Sequence, residues 1–336
     1  MKPLAVSMGD PAGIGLELAM RVWSEREAAT PRFYLVADPD AVLRAARRIG
    51  LPTPRLQVSD NPSELVGKPD VLGVFSTGLA IEEIPGAPDP RNAQATILAI
   101  ERGVAAVSGG AASALVTLPI SKSVLQGQGF GFPGHTEFIA HLTQNMNWPC
   151  QRGPVMMLAG PTLRVALATI HTPLRDVASA LTSERIVVVG RVVGEALQRD
   201  FDIDAPRIAL CGLNPHAGEQ GRIGREEIDV INPAAAQLRA EGWNVSDARS
   251  ADALFHDAAR RDYDAVIALY HDQGLIPIKT LHFWDAVNIT LGLPIIRTSP
   301  DHGTGFDIAG TGLARPDSLR SALRQAWDMA ARRSGA

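Results

Sequence analysis

Short apolar runs alternate with amphipathic helical stretches along this chain, and that alternation leaves few architectures open. Leu4–Met8, Phe33–Ala37, Ala114–Leu118, Val155–Leu158, Val165–Ile170, Ile208–Cys211, Ala265–Tyr270 and Val287–Thr290 read as strands. Between them, Arg91–Ser108, Ser183–Gln198 and Glu226–Ala240 carry apolar residues at helical spacing. Strands that alternate with helices predict an α/β protein, its largely parallel sheet covered on both faces. No internal repeat or low-complexity tract interrupts the pattern.

Composition matters here for what it excludes. The chain has 336 residues, a formal net charge of -4, 46% hydrophobic and 20% charged residues. That length is enough for one large domain or two ordinary ones, and the balance excludes disorder. A slightly acidic chain lacks the basic surplus of a nucleic-acid binder. Gly103–Ser121 is uncharged, but its glycines, serines and Pro119 break it too often to span a bilayer, so it reads as a helix end, a turn and a strand. No signal-peptide pattern opens the chain, and its two cysteines, Cys150 and Cys211, are too few for a disulfide framework. A cytoplasmic enzyme with no membrane or nucleic-acid partner is expected.

The histidines are the most informative polar residues. His171, His216 and His271 each follow a predicted strand, where open α/β sheets bind ligands. Three imidazoles with an open position suit a catalytic divalent metal such as zinc, and Asp272 could supply a carboxylate beside them. For any one of these histidines, a strand cap bonded to backbone is the better explanation; the shared placement of three favours a site. His135 opens Gly134-His135-Thr136-Glu137-Phe138, where Thr136 reads as the N-cap of the following helix. That helix start is an anion seat or a plain cap.

Two glycine-rich turns stand out. Gly9-Asp10-Pro11-Ala12-Gly13-Ile14-Gly15 joins the first strand to a helix from about Leu16, and it is neither a dinucleotide fingerprint nor a P-loop. Pro300–Gly312 is denser, and a loop of that kind can bring backbone amides close to a nucleotide. Lys279, Asn288 and Arg297 precede it within apolar surroundings, and Lys122 follows another predicted strand. Embedded cations call for an anionic partner, either a ligand or an internal carboxylate.

Taken in order, Gly9–Gly15, Gly134–Phe138, Leu213-Asn214-Pro215-His216-Ala217-Gly218-Glu219, Tyr270-His271-Asp272-Gln273-Gly274, Asn288–Pro294 and Arg297-Thr298-Ser299 make the chain resemble the 4-hydroxythreonine-4-phosphate dehydrogenase family of pyridoxal phosphate biosynthesis. The resemblance covers nearly the whole chain and is weakest over residues 40–90. The 302–310 loop is similar to the adenosine-side NAD loop of isopropylmalate and isocitrate dehydrogenases. The resemblance implies a two-domain α/β/α fold like those enzymes, with a cleft between domains. We place a cofactor-side domain at 1–130 plus 300–336, and a metal, substrate and dimerisation domain at 131–299.

By the same resemblance, His171, His216 and His271 would bind a divalent metal (zinc, magnesium, cobalt or manganese), one of them from a neighbouring subunit of a homodimer. His135, Thr136, Lys279, Asn288 and Arg297 would bind a small phosphorylated amino acid. His302, Gly303, Thr304, Gly305, Asp307 and Gly310 would bind NAD or NADP. Lys279 and Asp272 are the candidates for the general base. The implied reaction oxidises 4-phosphohydroxy-L-threonine to 2-amino-3-oxo-4-phosphooxybutanoate, which decarboxylates to 3-amino-2-oxopropyl phosphate. The chain departs from the family at Trp284-Asp285-Ala286, which either reshapes the substrate pocket or decorates a surface turn. The rival readings are a dehydrogenase for a four-carbon sugar-acid phosphate and a metal-dependent hydrolase or lyase without a redox cofactor.

Overall fold

Leu4–Ser7 forms β1, and all four of its side chains are buried, so layers cover the strand on both faces. The chain continues through α1 (Gly15–Ser24), β2 (Phe33–Ala37), α2 (Pro39–Arg48), β3 (Arg55–Ser59), β4 (Val71–Ser76), α3 (Ala93–Ser108), β5 (Leu115–Thr117), α4 (Lys122–Gln126) and α5 (His135–Leu142). It then runs through β6 (Val155–Gly160), β7 (Leu163–Leu167), α6 (Leu174–Ala180), α7 (Ser183–Phe201), β8 (Arg207–Cys211), α8 (Asn232–Ala240) and β9 (Asn244–Arg249). The last elements are β10 (Ala265–Ala268), α9 (His271–His282), β11 (Val287–Leu291), β12 (Arg297–Pro300) and α10 (Asp317–Ser334). This computed structural model describes residues 1–66, 68 and 70–335.

Two compact units result, Met1–Met146 with Pro294–Ala336, and Asn147–Leu293. In the first, the strands lie in the order β3-β4-β2-β1-β5-β12, each pair parallel. Helix α3 packs on β1, β2 and β5, while α10 packs on β12, β5 and β1 and meets α1. Because the strands are parallel, the turns after β1, β5 and β12 leave the same edge of the sheet. The glycine-rich segments 9–15 and 301–312 and the Ser121–Lys122 turn therefore gather there, where open α/β sheets bind ligands.

In the second unit the order is β11-β6-β7-β10-β8-β9. Strands β7, β10, β8 and β9 pair in parallel, whereas β6 is antiparallel to both β7 and β11. The expected parallel sheet thus holds for most of its length and gives way at one hairpin, where β6 and β7 are separated only by Pro161 and Thr162. Helix α7 is long because it meets several partners: it packs on α8, β6, β7 and β11, and Thr182 caps it by accepting the Arg185 N–H at 3.1 Å.

The domain boundaries expected near residues 130 and 300 fall instead at Met146/Asn147 and Leu293/Pro294. Aromatic packing explains the first shift, since Phe138 of α5 stacks on Phe130 and Phe132 with centroids 4.9 and 5.1 Å apart. Strand pairing explains the second, since β12 pairs with β5. His135, Thr136 and Arg297 consequently belong to the first unit. Among the described residues, no helix is long and apolar enough to cross a membrane.

Candidate active site

In the first unit the site is built around a buried cation. Arg297 opens β12 and is 3% exposed. Its Nε and Nη2 donate to the Thr117 hydroxyl at 3.2 and 2.7 Å. Burial draws its pKa down to about 10, opposed by the Glu137 carboxylate, so the guanidinium stays charged at neutral pH. The His135 imidazole is held well below its usual range, first by burial and then by the positive charges of Arg297 and Lys122. His135 is half-buried as a residue, but its Nε2 is out of reach of solvent and has no hydrogen-bond partner among the described residues. A neutral imidazole with an orphaned nitrogen beside a desolvated guanidinium is a seat for an anion.

Thr136 is not the N-cap expected from sequence. Gly134 holds that position with φ 178°, and the helix begins at His135, so Thr136 lies in its first turn.

The neutral state of His135 has a testable consequence. The unfolded chain takes up a proton at this residue near pH 6.5, while the folded chain resists until its depressed pKa is reached. The stability it contributes is whole above the unfolded value and is lost as pH falls through the interval down to the folded value. Urea midpoints measured at about pH 7.5 and about pH 5 should therefore drop less in His135→Gln than in the native chain. Equal drops would reject the buried neutral imidazole.

The Pro300–Gly312 loop lies against the turn after β1. Ile14 N–H donates to Thr304 O at 2.9 Å, and a Cβ on Gly13 would stand 2.7 Å from that same oxygen. Only glycine admits this approach. Gly310 N–H donates to Glu17, a buried carboxylate whose pKa is raised by desolvation. Gly303 is exposed, and no heavy atom lies within 4 Å of where its Cβ would stand. His302 Nδ1 contacts Gly303 O at 2.9 Å, Thr304 and Gly305 are half-buried, and Asp307 is exposed. Open backbone at this edge of the sheet suits the nucleotide of a nicotinamide cofactor.

In the second unit, β7, β10 and β8 are neighbours, and the segments leaving their carboxyl ends carry His171, His271 and His216. His171 and His271 stand with ring centroids 5.8 Å apart beside a cavity of about 380 Å³ lined also by Thr172, Tyr270 and Asp272. His271 Nδ1 lies 2.7 Å from Asp272 Oδ1, which orients the ring and leaves Nε2 free to bind a metal. His216 Nδ1 pairs with Glu219 Oε1 at 2.7 Å. It begins a turn in which His216, Ala217, Gly218, Glu219 and Gln220 all have φ between 46° and 77°. Such a left-handed run is rare for residues with side chains.

Among the described residues, no three of His, Cys, Asp and Glu group closely enough to hold a metal ion. Of the three strand-end histidines, the structure gives a ring contact for two, His171 and His271. Those two imidazoles, one of them set by a carboxylate, fit the donor chemistry of a divalent metal.

Lys279 lies on α9 with Nζ 5.8 Å from the Phe283 ring centroid. Asn288 lies on β11 opposite Leu158, and its Oδ1 is buried without a partner among the described residues. The Trp284 departure is a surface feature of this unit: Trp284 is 51% exposed and packs on Phe283, and Asp285 faces His282 at 3.4 Å.

A family model for pyridoxal phosphate biosynthetic protein PdxA matches residues 29–326. The chain belongs to this family. It is 52% identical over 334 residues to the 4-hydroxythreonine-4-phosphate dehydrogenase of Maricaulis maris, covering 98% of both chains. It is 49% identical over 333 residues to that of Caulobacter vibrioides, covering 99% of this chain and 98% of the relative. The crystal structure of the Klebsiella pneumoniae 4-hydroxythreonine-4-phosphate dehydrogenase superposes with a TM-score of 0.86 at 38% identity, covering 98% of each chain. Membership makes the chain an oxidoreductase of pyridoxal phosphate biosynthesis and implies a nicotinamide cofactor. Sequence reasoning missed Glu137, Thr117 and Glu227, whose roles come from neighbours distant along the chain.

Proposed function

We propose that this chain oxidises 4-phosphohydroxy-L-threonine to 2-amino-3-oxo-4-phosphooxybutanoate, which loses carbon dioxide to give 3-amino-2-oxopropyl phosphate. The observation that carries the choice of a phosphorylated substrate is the buried Arg297 beside the orphaned Nε2 of His135. Arg297 and His135 hold the phosphate, with Thr136 in the same helix start. Asn288 and Lys279 serve the polar groups of the amino-acid end. His171, His216 and His271 would hold a divalent metal, one of them coming from a second copy in a homodimer, with the His171–His271 approach as the part of that ligand set seen in one chain.

When bound, a divalent ion there supplies Lewis acidity that lowers the pKa of the substrate hydroxyl and draws electron density from the ketone during decarboxylation. The hydride acceptor is a nicotinamide, held through the 302–312 loop by His302, Gly303, Thr304, Gly305, Asp307 and Gly310. Asp272 is engaged in orienting His271. Of the two base candidates, Lys279 is then the one left to take the hydroxyl proton.

Formation of reduced cofactor at 340 nm tests this reading, with NAD+ and NADP+ supplied separately, before and after chelation and with metals added back. Turnover should require the metal and should fall at least about 100-fold when the phosphate is removed from the substrate, the loss of a charge-assisted contact to a buried guanidinium. Turnover of a four-carbon sugar-acid phosphate in its place would move the assignment to that dehydrogenase. Metal-dependent consumption of substrate without cofactor reduction would move it to a hydrolase or lyase.

A further inference from the structure

Strands β10 and β8 pair as far as Ile267 opposite Leu210, and beyond that point the two chains lead to His271 and His216. A buried side chain bridges them where the backbone ladder stops. Gln273, 9% exposed, accepts the Leu269 N–H on Oε1 at 2.7 Å and donates from Nε2 to the Gly212 carbonyl at 2.7 Å. The amide orientation is fixed by its neighbours, because a backbone N–H can only donate and a carbonyl can only accept. Gln273 thus acts as one more peptide unit in the sheet, joining Leu269, two residues before His271, to Gly212, four before His216.

The same belt continues on either side. The fully buried Thr169 hydroxyl donates to the Leu269 carbonyl at 2.7 Å, tying the His171 segment to the His271 segment. The Leu269 peptide is therefore held from both of its polar ends. Beyond Gly212, the buried Glu227 carboxylate accepts the N–H groups of Leu213 and Asn214, each at 2.8 Å. A Cβ on Gly218 would stand 2.6 Å from Glu227 Oε2, so the left-handed turn that starts at His216 is shaped around this carboxylate.

We infer that Gln273 is a positioning residue for the metal site, setting where the His271 and His216 segments each leave the sheet. This rests on the reading of the three histidines as metal ligands. Gln273→Glu keeps the acceptor for Leu269 and places an oxygen against the Gly212 carbonyl, so it should act on the His216 side. Gln273→Met keeps the volume and removes both bonds, and it serves as the second variant should the first fail to fold.

The measurement is a titration of the metal-free full-length protein with Co2+ alone, followed by visible absorption. Both variants should melt cooperatively when metal-free, bind Co2+ about 10- to 100-fold more weakly, and give altered ligand-field bands. In His216→Ala, adding Gln273→Glu should cost little further affinity, because the two changes act through one group. Native affinity and spectrum in both Gln273 variants, with loss in His171→Ala, would overturn this inference alone. Full additivity with His216→Ala would overturn it equally. Native protein that takes up no Co2+, or His171→Ala and His271→Ala proteins that bind as the native does, would overturn the metal reading and this inference with it.

Discussion

Replacing Arg297 with methionine should cut kcat/KM for the phosphorylated substrate by about 10²- to 10⁴-fold while the chain still folds, its stability changed by no more than about 1–3 kcal/mol. The two halves of this expectation share one cause. Arg297 is 3% exposed, and its pKa is pulled down to about 10, so the chain keeps a cation where burial disfavours one. A dianionic phosphate accepting its hydrogen bonds recovers the lost solvation, and truncation forfeits that interaction, about 3–5 kcal/mol for a desolvated charge pair. Without substrate, the same truncation removes a desolvated charge but takes the donors from the buried Thr117 hydroxyl, and the two effects oppose each other at about 1–3 kcal/mol each. Arg297→Lys should not restore activity, since an ammonium lacks the planar fork that now bonds Thr117 through Nε and Nη2. Steady-state kinetics with phosphorylated and dephosphorylated substrate, together with urea melts, check this. A variant that keeps the native preference for the phosphorylated form would assign the phosphate to other residues.

How legible the site is in the sequence depends on how local its causes are. Phe33–Ala37 reads as a strand and is one, because five consecutive apolar residues have no other use in a chain of this kind. Ala265–Ala268, wholly buried between neighbours on both sides, is legible for the same reason. β12 is not. Its residues Arg297-Thr298-Ser299-Pro300 are all polar or strand-averse, yet all four are buried, because β5 offers an unpaired edge and α10 covers the face. β3 and β9 escape for the opposite reason: they lie at the outer ends of their sheets and are only partly buried, so they carry no apolar signature.

The histidine placement is legible because strand ends are local features, and the order β7-β10-β8 brings the three segments side by side. The backbone that carries His216 is not, since its left-handed turn is shaped around Glu227, which lies 11 positions along the chain.

His271→Ala should abolish metal-dependent turnover, lowering the rate by about 10³-fold or more, the several kcal/mol that Lewis-acid stabilisation contributes. The metal-free protein should fold as before. The His271 side chain is 35% exposed and its bond is to the more exposed Asp272, so no buried group loses a partner when it is removed. Metal linkage then supplies a readout independent of activity. With free metal at about 100 times its Kd, the native chain gains about 2.7 kcal/mol of stability and its Tm rises accordingly, while the variant should show little or no rise. Asp272→Asn retains the ring and loses only its orienting charge, so its metal affinity should fall by about 10- to 100-fold, between native and His271→Ala. Thermal melts of the three proteins with and without added Co2+ separate these cases. Should His271→Ala keep the full metal-induced rise in Tm, the metal would be held elsewhere, and the 5.8 Å approach of His171 and His271 would be a packing contact between two strand ends.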